Sequence, residues 1–378
     1  MLRPQQSTRL DQAFSISPIV AILGPRQCGK TTLARQYLEH QGTRTTFFDL
    51  EDVTDLARLD TPKLALQNLE GIVVIDEIQR RPELFPTLRV LADRPNAVAK
   101  FLILGSASRD LIRQSSETLA GRITSLELSP FSISETGQTE KLWLRGGFPR
   151  SFLADTEEQS VGWRRSYIST YLERDVPQLG IRVPAVALRR FWMMLAHYHS
   201  QVFNASEIAK SLGVSDKTVR HYLDILSGTF MVRQLQPWFE NLKKRQIKAS
   251  KIYFKDSGIF HSLIGIEDAA MLTRHPKLGA SWEGFALEEV ARKLDLLPEE
   301  IFFWGVHGLA ELDLFAIRKG RRLGFEIKYT DAPRVTASIR TAIDALKLDE
   351  MTIVFPGTAD FDLGHGVRAR GLESFVNA

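Results

Sequence analysis

Eight consecutive residues constrain this chain more than any other stretch. Gly24, Pro25, Arg26, Gln27, Cys28, Gly29, Lys30 and Thr31 read G-x-x-x-x-G-K-T. They stand between an apolar run at 18–23 (P-I-V-A-I-L) and a helix-like segment at 32–38 that opens with Thr32. Strand, loop and helix in that order are the setting in which this motif cradles phosphate. The glycines let the backbone wrap an anion, so that loop N–H groups and the following helix N-terminus face it. Lys30 is then placed for the β- and γ-phosphates, and the Thr31 hydroxyl for Mg²⁺. The motif predicts that the chain binds ATP with Mg²⁺.

The next apolar runs extend that site. Residues 71–77 (G-I-V-V-I-D-E) read as a strand buried on both faces, which suits a parallel sheet. Asp76 at its carboxyl end is the expected holder of the Mg²⁺ water shell, and Glu77 the base that polarises the attacking water. Residues 45–50 predict a further strand, and 100–106 (K-F-L-I-L-G-S) another that lies between the two motif strands. Ser106 at its end is the expected γ-phosphate sensor. Arg122, just before a last strand at 123–128, serves either as a finger on a neighbouring subunit's nucleotide or as a solvated surface arginine. The sequence leaves both open.

At 378 residues the chain is long enough for two or three domains. No run approaches the ~18 apolar residues of a membrane span, and the N-terminus lacks a signal-peptide core. The expectation is a cytoplasmic protein without a membrane partner. The single cysteine, Cys28, excludes an internal disulfide framework. It occupies a spacer position of the phosphate loop and reads as a small residue there.

The net charge of +4 is unevenly spread. Residues 186–255 hold 12 Lys/Arg against 4 Asp/Glu, so the remainder of the chain is mildly acidic. Within that basic stretch, 204–226 has the rhythm of a helix-turn-helix. A short helix at 206–212 is followed by a turn at Gly213 with Val214 packed inside it. Ser215 then caps a second helix that displays Lys217, Thr218, Arg220 and His221. A wing-like strand at 229–236 and a cluster at Lys243, Lys244 and Arg245 follow. Such trihelical modules bind either DNA or proteins, and the local excess of cations favours DNA.

The last third holds a second constellation. Residues 311–317 and 323–328 predict a β-hairpin in which Asp313 begins one strand and Glu326 and Lys328 share a face of the other. Upstream, Glu283 lies near the start of an amphipathic helix at 282–294. A glutamate followed by D…E-x-K across a hairpin resembles the core of the metal-dependent PD-(D/E)xK nucleases. By that resemblance Asp313, Glu326 and Glu283 would hold a divalent ion and Lys328 would position the attacking water. The plain alternative is a charged hairpin face, and whether such a core still cuts is open.

Taken together, G-P-R-Q-C-G-K-T-T-L, V-V-I-D-E-I-Q, L-I-L-G-S-A-S, L-A-G-R, L-S-P-F-S-I-S-E and R-G-G-F-P resemble a large family of prokaryotic AAA-type ATPases. Y-L-E-R-D-V at 171–176 and K-I-Y-F-K-D-S-G at 251–258 match it as well. The expected architecture is α/β: a parallel-sheet P-loop domain (1–150), a helical linker ended by Pro177 (151–185), a winged helix-turn-helix (186–250) and a nuclease-like domain (251–378). The ATP site and the basic helix-turn-helix together predict a DNA-processing ATPase, expected to assemble as a homo-oligomer, a hexamer or another ring. The alternative is a nucleotide-switched scaffold whose nuclease-like domain only binds a partner.

Overall fold

A computed structural model describes residues 1–95, 99–107, 119–239 and 247–378. The chain divides into two compact units, each discontinuous in sequence. One comprises Met1–Pro130, Thr170–Val183 and Gly228–Phe230; the other comprises Phe131–Ser169, Pro184–Ser227 and Met231–Ala378. The boundaries expected at 150, 185 and 250 are not the edges of these units. At 250 the reason is a sheet, described below, that joins the middle of the chain to its C-terminal third.

In the first unit, helix α1 (Pro4–Ile16) precedes strand β1 (Ile19–Leu23), the phosphate loop and helix α2 (Lys30–Gln41). Strands β2 (Thr45–Asp49) and β3 (Gly71–Asp76), helix α3 (Leu84–Ala92), and strands β4 (Ala99–Gly105) and β5 (Ile123–Glu127) complete it. The sheet is wholly parallel, in the order β2-β3-β4-β1-β5. Strand β4 therefore lies between the two motif strands, as the sequence predicts. β1 and β3 are buried almost throughout, whereas the edge strands β2 and β5 are partly exposed. That difference is why the central strands read as unbroken apolar runs. Ile19, Ala21, Val73, Ile75, Phe101 and Ile103 form the centre of the core.

After helix α4 (Glu157–Thr170) the helical course continues through a π turn, Tyr171–Asp175, into Val176–Gln178. Pro177 thus stands inside the last turn and does not end the helix. Proline has no N–H to give the carbonyl four residues back, and the wider turn absorbs that loss: Val176 N–H donates to Tyr171 O.

The second unit begins its described sheet region with α5 (Ala185–His197), β6 (Gln201–Val202), α6 (Ala205–Leu212) and α7 (Asp216–Gly228). Strands β7 (Val232–Pro237) and β8 (Lys251–Phe254) form an antiparallel pair, with β6 against β8. Helices α8 (Ser257–Leu263) and α9 (Leu278–Lys293) follow, then β9 (Ile301–Val306), β10 (Ala310–Arg318) and β11 (Arg321–Ile327). Helix α10 (Ala337–Leu346) and strands β12 (Glu350–Phe355), β13 (Asp360–Asp362) and β14 (Val367–Gly371) close the unit. β7 pairs in parallel with β9, Gln236 opposite Phe302, so one nine-stranded sheet runs β13-β14-β12-β11-β10-β9-β7-β8-β6. Helix α9 is buried along a continuous run from Ser281 to Ala291 apart from Glu283. It is a core helix, not the one-sided amphipathic helix expected. The aromatic residues Trp143, Trp282 and Phe285 pack beside one another at its start.

Two histidines in this unit are fully buried. The Phe254 N–H donates to His199 Nδ1 (3.1 Å), so that nitrogen is an acceptor and the ring is neutral. His261 bridges Leu144 O (3.0 Å) and Ser281 Oγ (2.7 Å). Burial pushes His199 down to about 3 and His261 down to about 4. In the unfolded chain both take a proton below about pH 6.5. Their contribution to stability is therefore complete above that pH and is lost as pH falls toward the folded values. At pH 5 the expected loss is about 2 kcal/mol for each histidine. Other buried groups described below titrate as well, Glu283 and Glu326 being raised and Glu288 lowered, so the histidine share is read by comparison with His261→Gln. That variant's thermal midpoint should fall less between pH 7 and pH 5 than the native one; equal falls would show that His261 does not titrate on unfolding.

Candidate functional site

The phosphate loop of the first unit leaves β1 under tight steric control. A Cβ at Gly24 would come within 2.2 Å of Leu128 O, so only glycine fits. Gly29, at φ +100°, turns the chain into α2 through a conformation that other residues rarely adopt. Cys28 is buried, its Sγ 3.4 Å from Leu128 O, and burial raises its thiol. A buried, protonated thiol is a packing residue.

The remaining ATP-site candidates converge at the carboxyl ends of β1, β3 and β4. Lys30 Nζ is buried and donates to Gly24 O, Pro25 O and Ser106 Oγ, each at 3.0 Å. Those three oxygens mark where the ammonium waits. Ser106 Oγ in turn lies 3.3 Å from Glu77 Oε1. The Thr31 hydroxyl donates to Asp76 Oδ2 (2.6 Å). Burial raises the Asp76 carboxyl, while the Thr31 hydrogen bond lowers it. A threonine hydroxyl and a carboxylate in contact, facing the phosphate loop, fit a hard divalent ion, and these are the two residues that would hold it.

Glu77 adopts φ +55°, ψ +44°, the left-handed region, although it is not glycine. Strain of that kind is retained where the surroundings over-determine it. Here Gln79 Nε2 donates to Glu77 Oε2, and Gln79 Oε1 accepts the Ser106 N–H at 3.3 Å. Lys30, Ser106, Glu77 and Gln79 thus form one connected set. Arg26 of the loop is engaged as well. It is paired with Glu51, with Asp175 at 3.0 Å and with Gln178 Oε1 at 2.7 Å. Arg122 lies elsewhere, at the amino end of β5, where it pairs with Asp93 (2.6 Å) and donates to Ala120 O (3.0 Å). A five-residue strand separates it from the loop end of the sheet, roughly 16 Å. It cannot reach its own nucleotide.

In the second unit, α6 and α7 form the helix pair read from the sequence. Ser215 caps α7, accepting the Thr218 N–H (3.1 Å), and the Thr218 hydroxyl contacts the Ser215 hydroxyl (2.9 Å). Lys217, Arg220 and His221 are exposed and Thr218 is half-buried. Val214 is 36% exposed rather than packed in the turn; its role there is taken by a backbone bond from its N–H to Ala209 O (3.1 Å). Lys243, Lys244 and Arg245 lie outside the described residues. Two other cations of the basic stretch are spent internally. Arg233 forks onto buried Glu288 (2.6 and 2.8 Å), and although burial would raise that carboxyl, the guanidinium draws it down to about 2. Lys251 is the other.

The C-terminal constellation is brought together by β8, α9, β10 and β11. The β10–β11 turn is only Lys319-Gly320, both at positive φ, as a tight two-residue hairpin requires. A register shift between Leu312 and Phe315 in the β9–β10 pairing falls at Asp313, the fourth residue of β10 rather than its first. Asp313 Oδ2 accepts the Ile327 N–H (2.9 Å), and Lys328 Nζ lies 2.8 Å from Glu326 Oε1. Glu283, Asp313 and Glu326 sense one another: burial first, then the Asp313 charge, raises both Glu283 and Glu326. Glu326 Oε2 is buried with no hydrogen-bond partner among the described residues.

Two of the three carboxylates expected to hold a metal face the same side-chain cation. Lys251 Nζ lies 3.7 Å from Asp313 Oδ1 and 3.8 Å from Glu283 Oε1, and contacts Glu311. Tyr253 Oη donates to Glu283 Oε1 at 2.6 Å. Among the described residues no group of three or more His, Cys, Asp or Glu is arranged to hold a metal ion. The oxygens are of the right kind, but the ones that should converge on a cation already face an ammonium and a phenol.

Residues 17–137 match a family described as an AAA domain, 136–270 a domain of unknown function (DUF8612) and 278–375 another (DUF4143). Over 369 residues the chain is 49% identical to the uncharacterized protein Rv2008c of Mycobacterium tuberculosis, spanning 97% of this chain and 83% of that protein. The uncharacterized protein Mb2031c of Mycobacterium bovis matches to the same extent. The chain belongs to the family of these two mycobacterial proteins. Among solved structures, the Walker-type ATPase PABY2304 of Pyrococcus abyssi is similar with a TM-score of 0.48 at 16% identity, over 69% of this chain and 95% of that one. The Thermotoga maritima RuvB Holliday junction branch migration motor gives 0.30 at 19%, over 62% and 90%. The first unit is an AAA-type P-loop ATPase domain, on the strength of the matched family and its loop geometry. Among the described residues, no helix is long and apolar enough to cross a membrane.

Proposed function

We propose that this family member is a magnesium-dependent ATPase that couples nucleotide hydrolysis to the binding and remodelling of DNA. In the ATP site, Lys30 leaves its three oxygens to meet the β- and γ-phosphates, and Thr31 with Asp76 positions the ion. When bound, Mg²⁺ neutralises charge that develops on the phosphates. Glu77 accepts the proton of the attacking water, and Ser106, already bridging Lys30 and Glu77, orients on the γ-phosphate.

The observation that carries the DNA reading is α7. It is a capped helix that follows a three-residue turn and offers Lys217, Arg220 and His221 to solvent, with the β7–β8 strand pair behind it. Helix, short strand, two helices and a strand pair is the order of a winged helix, whose second helix of the motif enters a groove. The test is a panel of single-stranded, duplex, forked and four-way DNA, assayed for binding and for ATP turnover. DNA that binds and stimulates turnover many-fold supports the proposal; slow turnover indifferent to every DNA would replace it with the nucleotide-switched scaffold. The latter reading draws on one observation, the internally neutralised C-terminal pocket. The order Glu283, Asp313, Glu326, Lys328 around the β10–β11 hairpin supports a nuclease-like fold there, and no cutting step is assigned to it.

Arg122 fits a homo-oligomer, a ring in particular, because it lies at the far end of the sheet from its own loop and would leave Asp93 to serve a neighbouring copy's nucleotide. Arg122→Ala is expected to bind ATP normally and to hydrolyse it about 10³-fold more slowly, the lower end of the range lost with such a finger. Mixing it with Glu77→Gln protein should restore part of the turnover, since a mixed interface can pair an intact base with an intact arginine. A monomer with native turnover would exclude the finger.

A further inference from the structure

The acidic pocket of the second unit holds one cationic side chain in a position no sequence motif assigned. Lys251 is the first residue of β8, yet its side chain is 4% exposed. An ammonium is left unhydrated in a fold only where anions replace its water. Here the anions are Glu311, Asp313 Oδ1 at 3.7 Å and Glu283 Oε1 at 3.8 Å, and Nζ also stands over the Phe303 ring, 5.5 Å from its centre. One oxygen each of Glu283 and Asp313 already accepts a hydrogen bond. Glu283 Oε1 accepts from Tyr253 Oη, and Asp313 Oδ2 accepts from the Ile327 N–H. A divalent ion requires oxygens at about 2.0–2.6 Å in a cage of six or more. It would have to share those oxygens with a positive charge a few ångströms away.

We infer that Lys251 is the resident cation of this pocket: Glu311 contacts its ammonium, Glu283 and Asp313 neutralise it from 3.8 and 3.7 Å, and the pocket takes up no divalent metal ion through them. The role goes beyond the ATPase and DNA reading and does not depend on it. Lys251 locks three elements together, β8, α9 and β10, as a structural ion does, but permanently and without exchange. Glu326 pairs with Lys328 on one oxygen, and its other oxygen is buried with no hydrogen-bond partner among the described residues.

The test is Mn²⁺ uptake by the full-length, nucleotide-free chain, followed from the electron paramagnetic resonance signal of the free ion into the millimolar range. The native chain, Glu283→Gln and Asp313→Asn are expected to take up equal amounts, whatever Asp76 contributes, because the C-terminal pocket takes none. Lys251→Met should gain one ion per chain, and Lys251→Met combined with Asp313→Asn should lose it again. Native uptake that falls by one ion in Glu283→Gln or Asp313→Asn would overturn the inference, and that arm needs no Lys251 variant to fold. A Lys251→Met chain with native-like circular dichroism that gains no ion would overturn it as well.

Discussion

Glu77→Gln is expected to bind ATP as the native chain does and to hydrolyse it about 10²–10⁴-fold more slowly, the range lost with a general base. The amide keeps the shape of the carboxylate, so the contacts with Gln79 and Ser106 can persist while the proton acceptor is gone. Lys30→Ala should differ in kind. It empties the position among Gly24 O, Pro25 O and Ser106 Oγ and removes the cation that meets the phosphates, so binding itself should weaken sharply. A fluorescent-nucleotide titration beside a phosphate-release assay separates the two. Native turnover in Glu77→Gln would place the base elsewhere, and native affinity in Lys30→Ala would remove Lys30 from the phosphate site.

Reversing two charges on α7 should have the next largest effect. Lys217→Glu with Arg220→Glu is expected to weaken duplex binding at least ~100-fold at low salt, since two attractions become two repulsions against a dense phosphate array. With about six phosphate contacts, the native log–log slope of affinity against salt would be near −5, and the double variant should be shallower by about 2. Both residues are exposed, so stability should not move. A salt-independent interaction, or one the double variant leaves intact, would make α7 a protein-docking helix.

Much of the ATP site was legible because its residues sit at fixed short distances along the chain from strand ends. The runs at 19–23 and 71–76 carry their own signal: central parallel strands are apolar on both faces, and whatever follows them emerges at one edge of the sheet. Gln79 lay within a recognised stretch but had no assignable role, because its value depends on the left-handed turn at Glu77, which no local pattern announces. Asp175 and Gln178 were hidden for another reason. They reach Arg26 through a π turn forced by Pro177, where a reading based on 3.6 residues per turn expects an end.

The C-terminal third was legible in order but not in charge. Glu283, Asp313, Glu326 and Lys328 do approach one another, as the hairpin and the preceding helix suggested. Lys251 counted as one more cation in a basic stretch, and only the pairing of β7 with β9 turns β8 toward Asp313. Charge sums along a sequence treat every lysine as available, and Lys251 and Arg233 show how folding withdraws some from the surface.

The three-part construction of the ATPase unit has a consequence for its birth on the ribosome. Its core includes Phe230 and is joined by Leu179, and Tyr171 Oη shares a 2.6 Å hydrogen bond with Thr229. Residues 1–130 are translated first but cannot complete that core until about a hundred more have followed. At 5–20 residues per second the delay is roughly 5–20 s. Throughout it, nascent Arg26 lacks Asp175 and an apolar margin stands open to water, which makes this nascent intermediate a natural client for chaperones. A fragment cut at residue 130 would remain in that unfinished condition for good.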